Sequence, residues 1–473
     1  MTKTKLRPVA AAISSVLLLA GLQQAHGAGF ALIENSASGM GTAFAGASAV
    51  GEDASTIFFN PAGMTQLKGP QLVFSAHVIG IEADYKDKGS SLNPAFTGGT
   101  TVPGSLQGTN DDGGGVGVIP NLFYAYPVNE DLYFGLGISV PFGMETEYED
   151  EWVGRYHALY SGIETLNVNP SFAYRLNDRW SIGGGFNVQY LKADLTQAID
   201  STAVCLQLVQ QGAIDMATCE NAGMPASTLA SGTVDSKAEL KADDISYGFN
   251  LGVTFQATER TRIGAAYRSR VNHDAEGDAD FTLYPGLEAI LTPVNQQLAQ
   301  AGTALLANSD VGGSISLPDT FSLSVVHQAT PKLQVLGDIT WTGWSSFDEL
   351  RIVYDSGQAD SVTDESWEDV MRYSLGVAYA QTDRLTLRAG LAFDEEAIPD
   401  DEHRTPRIPG NDRFWITLGA GYKVNRNLTL DVGYAHLSMS DTDMSHDDGN
   451  GYTVTGEYSG GANILSGQLT WNF

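Results

Sequence analysis

The side chains able to do chemistry are few, and they are scattered. Cys205 and Cys219 are the only two cysteines among 473 residues. They fall in one polar segment, so in an exported chain they form a disulfide that staples a loop, or else stay as two free thiols. The eight histidines have no metal-ligand spacing, and His77, His157, His327 and His436 read as structural girdle or rim residues. A G-x-S-x-G elbow, an H-E-x-x-H pair and a Walker loop are all missing from the sequence. Acidic clusters at 394–402 and 441–448 could hold divalent cations, or could be solvated loops. Asp441, Asp443, Ser445 and Asp447 have the spacing of a calcium loop, but Tyr452 stands where the closing glutamate should be. Neither a metal nor another cofactor is implied.

Residues 1–27 form an export signal: Lys3, Lys5 and Arg7, an apolar run from Ala10 to Leu22, then small residues at Ala25 and Gly27. Cleavage is expected before Ala28. No later stretch has 18 consecutive apolar residues, so the chain does not span a membrane with helices. The mature chain has 23 basic against 56 acidic residues, a balance that excludes nucleic acid as a partner. Fifty-three glycines with 19 tyrosines, 19 phenylalanines and 7 tryptophans suit one large sheet with an aromatic girdle.

From Gln71 to the end, alternating runs are joined by polar turns. In 384–394, Leu385, Leu387, Ala389, Leu391 and Phe393 share one face while Arg388 and Asp394 take the other. The same period holds for Phe414, Ile416 and Leu418, and for Leu428, Leu430 and Val432. Six tight turns, at Asn129, Asn177, Thr258, Thr330, Thr382 and Asn425, alternate with seven longer connections. They predict an all-β, transmembrane, antiparallel up-and-down barrel of about 14 strands over 71–473, with both ends on the short-turn, periplasmic side. The longest connections, 197–240 and 276–314, carry apolar residues at helical spacing (Leu287, Ile290, Leu291, Val294, Leu298). These either pack the loops onto the rim or form an outer binding patch. The aromatic end at Phe473 reads as a signal to the barrel assembly machinery.

Residues 28–70 are rich in Gly, Ala and Ser and lack bulky alternation, so they cannot face lipid. A barrel of this size leaves a lumen too wide for its own side chains, and the segment is expected to plug it. One strand, 132–148, contains Pro141 and Gly143, which should break its hydrogen-bond ladder and open a gap in the wall.

The sequence resembles the FadL family of outer-membrane transport proteins. The resemblance rests on Ala28-Gly29-Phe30, Ser38-Gly39, Ala43-Phe44-Ala45-Gly46 and Asn60-Pro61-Ala62-Gly63. It continues through Trp344-Ser345-Ser346-Phe347, the run Arg388 to Asp394, and the run Ile408 to Trp415. It implies uptake of long-chain fatty acids or other hydrophobic compounds: an outer groove on the two long loops, an interior pocket, and lateral release into the bilayer. On that reading Phe30 belongs to the pocket, and Asn60, Pro61 and Ala62 form a hatch element facing the gap at Pro141 and Gly143. The partners are a hydrophobic ligand, outer-membrane lipid and lipopolysaccharide, and the chain acts as a monomer.

In fatty-acid carriers of this family, basic side chains hold the carboxylate. The resemblance places Gln197 and Glu368 at two of those positions, and a carboxylate beside Glu368 is unfavourable without a compensating cation. Arg268, Arg372 and Arg388, which have lumen parity, are the candidates, either as ligand anchors or as part of a structural charge lattice. The departure also leaves room for a member specific for hydrocarbons or aromatics. From other classes, an outer-membrane hydrolase would need a rim histidine paired with Ser or Asp, and a general porin would lack the plug.

Overall fold

A computed structural model describes residues 29–92 and 106–473. The expected signal over 1–27, with its cleavage point, lies outside the described residues. The barrel begins with β1 (Gln71–Asp87), β2 (Val116–Pro127), β3 (Leu132–Ser139, resumed at Gly143–Glu147), β4 (Tyr160–Arg175) and β5 (Trp180–Asp200). Next come β6 (Asp235–Thr258), β7 (Thr261–Arg268, resumed at Val271–Thr282), β8 (Ser309–Leu317, resumed at Thr320–Thr330) and β9 (Leu333–Thr342, then Glu349–Tyr354). It ends with β10 (Val370–Ala380), β11 (Leu385–Asp394), β12 (Arg413–Lys423), β13 (Leu428–Met439) and β14 (Tyr452–Asn472). Each strand pairs antiparallel with its sequence neighbours, and β1 closes on β14 from Gln71↔Asn472 to Asp87↔Gly456, giving 14 strands and no free edge. Closure is what lipid demands, because an unpaired backbone group there has no water to bond.

The alternation that predicts the strands also sorts their faces. Along β12, Phe414, Ile416 and Leu418 are exposed on the outside, while Arg413, Trp415 and Thr417 are buried inside. The six short turns are where the sequence puts them, and each opens on a side chain that caps the turn. Asn129 Oδ1 accepts from the backbone N–H groups of Asp131 and Leu132 at 2.9 and 2.8 Å, and Asn425 Oδ1 does the same for Asn427 and Leu428 at 2.8 and 3.0 Å.

Residues 29–70 lie inside the barrel. They hold three one-turn helices, α1 (Ala37–Met40), α2 (Ala47–Val50) and α3 (Thr56–Phe59), and the 3-10 turn Pro61–Gln66. Small residues let this plug touch the wall closely. A Cβ at wall glycines Gly252, Gly264 or Gly390 would collide with Asn60, with the Ser48 carbonyl or with Thr42.

The long connections are shorter than the sequence suggests, because β5 to β7 continue into them. β6 alone has 24 residues, where a tilted strand crosses the bilayer in about 10. What remains is 201–234 and 283–308, which hold α4 (Ser201–Gln210), α5 (Met216–Asn221) and α6 (Pro285–Leu298). Leu287, Ile290 and Leu291 of α6 are buried against Cys205, Leu208, Cys219 and Met224, so this stripe packs loop on loop. Cys205 and Cys219 are joined as a disulfide between α4 and α5. Intact-mass analysis after non-reducing alkylation is expected to find no modified thiol. Cys205→Ser/Cys219→Ser should lower protection of 201–234 against protease while leaving the barrel folded, since the bridge closes only a short local loop.

The acidic clusters are also corrected. Asp394 is not a loop acid but the buried end of β11, and residues 442–447 form a strand (Thr442–Asp447) paired with β14. Among the described residues, no group of three or more His, Cys, Asp or Glu is placed to hold a metal. His77 is not in the girdle: it is buried inside, with Nδ1 2.7 Å from Ser466 Oγ.

Candidate functional site

Asn60 begins the 3-10 turn, and Pro61 follows at its first position, where a missing N–H costs nothing. The Asn60 Oδ1 accepts from Ala62 N at 3.0 Å, while Nδ2 donates to the carbonyls of Ser48 (2.7 Å), Val253 (3.0 Å) and Ala265 (3.3 Å). Ala62 packs against Gly183 of β5. Asn60-Pro61-Ala62 therefore clamps the plug to β5, β6 and β7 and does not face the break in β3. The reason is the amide, whose donors are spent on wall and plug carbonyls.

The break itself is real. Between Ser139↔Asn167 and Gly143↔Glu164, β3 carries one residue more than β4, and its pairing to β2 stops at Leu122↔Ile138. Pro141 has no N–H to donate, and Val140 to Gly143 are buried, turned toward the interior. The amino-terminal segment fills the place: Leu32 N donates to Pro141 O (2.8 Å), Gly143 N donates to Phe30 O (2.9 Å), and Ala31 bridges antiparallel to Phe142. Phe30 is fully buried, its ring 4.8 Å from Trp344, 5.8 Å from Phe347, 6.0 Å from Trp367 and 6.2 Å from Phe142, centroid to centroid. Gly29, at φ +63°, sits against Trp344 with no room for a Cβ.

The apolar cluster around Phe30 also holds Met144, Ile163, Leu191, Ile315 and Ile408. These five side chains line an apolar chamber whose charged lining residues are Arg351, Glu365 and Arg407. Arg351 is exposed and paired with Glu349 and Asp360. Arg407 is different. Its Nη1 donates to Ser161 Oγ at 2.9 Å and to Tyr160 O at 3.4 Å, and its Nη2 donates to Gln197 Oε1 at 2.7 Å, and all three of these acceptors are neutral. Burial lowers this guanidinium to about 10, still cationic at neutral pH. Burial also raises the Glu365 carboxyl to about 8, against the opposing Trp367 indole, which donates to it at 3.0 Å. Gln197, which stands where a base was expected, thus holds one instead. Glu368 is exposed, and the buried acid near the chamber is Glu365, three residues earlier.

A second, larger chamber is bounded by Leu32 to Glu34 of the plug and by Pro141 and Phe142 at the break. Arg268, Arg372, Arg413 and Trp415 also line it. Arg268 donates to Asn187 Oδ1 (3.1 Å) and Phe58 O (2.7 Å). Arg372 Nη2 donates to Ala43 O at 3.1 Å, and its Nε lies 2.7 Å from Asp394 Oδ1. The structure does not bring Arg388 to either chamber. That side chain ties Asp431 of β13 (2.8 Å) to Glu52 of the plug (2.6 Å), a structural role.

Sequence reasoning missed Arg407, Glu365, Arg413 and Glu34. Arg413 carried a usable signal, since its parity opposes Phe414 and Ile416. Arg407 sits in an irregular loop between Pro406 and Pro409, where no period assigns a face.

The family described as outer membrane protein transport protein (OMPP1/FadL/TodX) matches residues 17–473. The long-chain fatty acid transport protein of Escherichia coli O6:H1 is 32% identical over 418 residues, covering 88% of this chain and 87% of that one. Outer membrane protein P1 of Haemophilus influenzae is 32% identical over 436 residues, covering 90% and 88%. The crystal structure of a Pseudomonas aeruginosa FadL homologue superposes with a TM-score of 0.80 at 24% identity, covering 94% and 99%. The CymD monoaromatic hydrocarbon channel does so at 0.60 and 19%, covering 94% and 99%. The last two likenesses bear on the fold.

Proposed function

The chain belongs to the OMPP1/FadL/TodX family and is an outer-membrane transporter of hydrophobic compounds, and from that premise we propose that its substrates are long-chain fatty acids held by Arg407. The observation that carries this reading is a buried guanidinium at an apolar chamber, hydrogen-bonded to the neutral acceptors Ser161, Tyr160 and Gln197. A cation so placed gains most from an anionic ligand, because charge-assisted hydrogen bonds are about twice as strong as neutral ones. The relatives named long-chain fatty acid transport proteins support the same class.

The route follows from the two chambers. An acid enters the upper one, with its chain along Leu191, Ile315 and Ile408 and its head at Arg407. Passage toward the break requires Phe30 to Leu32 to leave β3. Two net backbone hydrogen bonds cost about 2 kcal/mol and uncovering one aromatic ring about 2 to 3 kcal/mol, a barrier a bound ligand can offset. Beyond the break, the ligand moves sideways into lipid without crossing bulk water. No step is catalytic. The transporter acts as a monomer among outer-membrane lipid and lipopolysaccharide, and exposed Phe473 serves the barrel assembly machinery.

Glu365 supplies the test. Its carboxyl, raised to about 8 by burial, is neutral below that pH and negative above it. Ionised, it competes with a ligand anion for Arg407. Binding of hexadecanesulfonate, which stays charged throughout, is expected to weaken about tenfold from pH 7 to pH 9 by proton linkage. Glu365→Gln should flatten that profile and hexadecanol should show none. A profile unchanged in Glu365→Gln, or hexadecanol bound as tightly as the anion at pH 7, would defeat the acid reading. The second outcome would favour neutral hydrocarbons, which the apolar lining also admits.

A further inference from the structure

The lower chamber contains a row of charges that the route above does not use. Arg372, Asp394 and Arg413 are direct cross-strand neighbours on the inner face of β10, β11 and β12. One aspartate serves two arginines: its Oδ1 lies 2.7 Å from Arg372 Nε, and its Oδ2 lies 3.7 Å from Arg413 Nη2 while accepting from Trp415 Nε1 at 2.7 Å. Arg372 Nη1 and Arg413 Nε are buried without a hydrogen-bond acceptor among the described residues. Asp338, the other wall carboxylate in the chamber, is saturated by the hydroxyls of Ser322, Ser324 and Thr340. Arg268 is engaged with Asn187 and Phe58.

The chamber balances three guanidiniums with three carboxylates only because Glu34 is the third. Glu34 belongs to the plug, two residues beyond the Leu32 that bonds Pro141 in the break. It is 4% exposed, its Oε2 has no hydrogen-bond partner, and it lines the same cavity as both arginines. An orphaned buried acid facing orphaned buried donors is costly on both sides.

We propose that Arg372 and Arg413 form a second carboxylate station in the lower chamber, which Glu34 screens until the amino-terminal segment moves. The proposal rests on the acid reading and extends it. When Phe30 to Leu32 withdraw, Glu34 goes with them, and the incoming carboxylate takes its place at the arginines. Charge in the chamber is conserved, so a fatty acid is exchanged for Glu34 where a hydrocarbon would leave the arginines unscreened. The station thereby favours acids at the gate as well as at the entrance.

Calorimetric titration of the purified full chain with hexadecanoate, and with hexadecanol as control, tests this. The wild type is expected to bind one hexadecanoate tightly, with a second site at least tenfold weaker. Glu34→Gln, which removes the competing charge with little change of shape, should tighten the second site about tenfold or more. Arg413→Gln added to Glu34→Gln should abolish the second site alone, while Arg407→Met should weaken the first alone, by about 30- to 100-fold. Arg413→Lys keeps a cation beside Asp394 and should retain a weaker second site, which separates charge from folding. A single site in Glu34→Gln, or a second site indifferent to Arg413→Gln, overturns the station while leaving Arg407 as anchor. Hexadecanol matching hexadecanoate at both sites overturns the acid reading and the station together.

Discussion

Arg407→Met is expected to weaken hexadecanoate binding about 30- to 100-fold and to leave binding of hexadecane unchanged. The guanidinium is buried in a loop over the upper chamber, and its donors reach Ser161, Tyr160 and Gln197. A ligand carboxylate there would form two hydrogen bonds between charged groups, each worth about 1 to 1.5 kcal/mol more than a neutral one, about 2 to 3 kcal/mol together. That energy is the stated fold-change, at about 1.4 kcal/mol per factor of ten. Methionine keeps an unbranched apolar stem and leaves only neutral acceptors unpaired, so the chamber should hold its shape. Equilibrium binding of the two ligands to purified protein, with heat-modifiable gel mobility as the folding control, is the measurement. Equal loss for hexadecane would mean that Arg407 supports the chamber and does not read the ligand's head.

The second large effect concerns the break in β3. Ala31 and Phe142 face each other as a non-hydrogen-bonded antiparallel pair, flanked by the Leu32–Pro141 and Gly143–Phe30 hydrogen bonds. Such pairs bring their Cα atoms to about 4.5 Å, within the range a disulfide spans. Ala31→Cys/Phe142→Cys, made in a Cys205→Ser/Cys219→Ser background, should therefore lock the segment into the break. Uptake of radiolabelled fatty acid by whole cells is expected to fall at least tenfold in the oxidised form and to recover on reduction. Binding at Arg407 should persist, because the upper chamber does not depend on the segment's release. Full transport through the locked form would place the exit elsewhere than this wall.

Much of the architecture was readable from residue order, and the reason is the solvent. Lipid outside and water or plug inside impose a period of two, so Phe414, Ile416 and Leu418 declare their strand without help from distant residues. Asn and Thr at the six turns act through backbone groups two or three residues away, which is equally local. The extension of β6 beyond the membrane was hidden because its outer face meets water there. Lys237, Glu239 and Lys241 still alternate with Ala238, Leu240 and Ala242, but the polarity resembles a loop. The site was less legible for a different reason. Asn60 chooses its partners about 200 residues away, and the loop that carries Arg407 has no period at all. Glu365 and Glu368 differ by three positions in an irregular stretch, and only folding decides which is buried.

The seam between β1 and β14 joins the two ends of the barrel chain, and all 17 residues of β1 pair across it. Phe473 N bonds Pro70 O at 3.1 Å, so the last residue meets the one just before the first strand. Of the strand pairings this one joins the residues farthest apart in sequence, so its loop-closure entropy is recovered last, once the intervening strands are in register. The plug lies upstream of β1, and its backbone touches the wall where the wall has glycine, at Gly183, Gly264 and Gly390. A fit this close is expected to be made in the curved, open sheet, before the seam shuts. Biogenesis is thus a packaging problem with a fixed order, and a plug too bulky at Ala62 or Ser48 should appear as unclosed barrels in assembly assays before any defect in transport is seen.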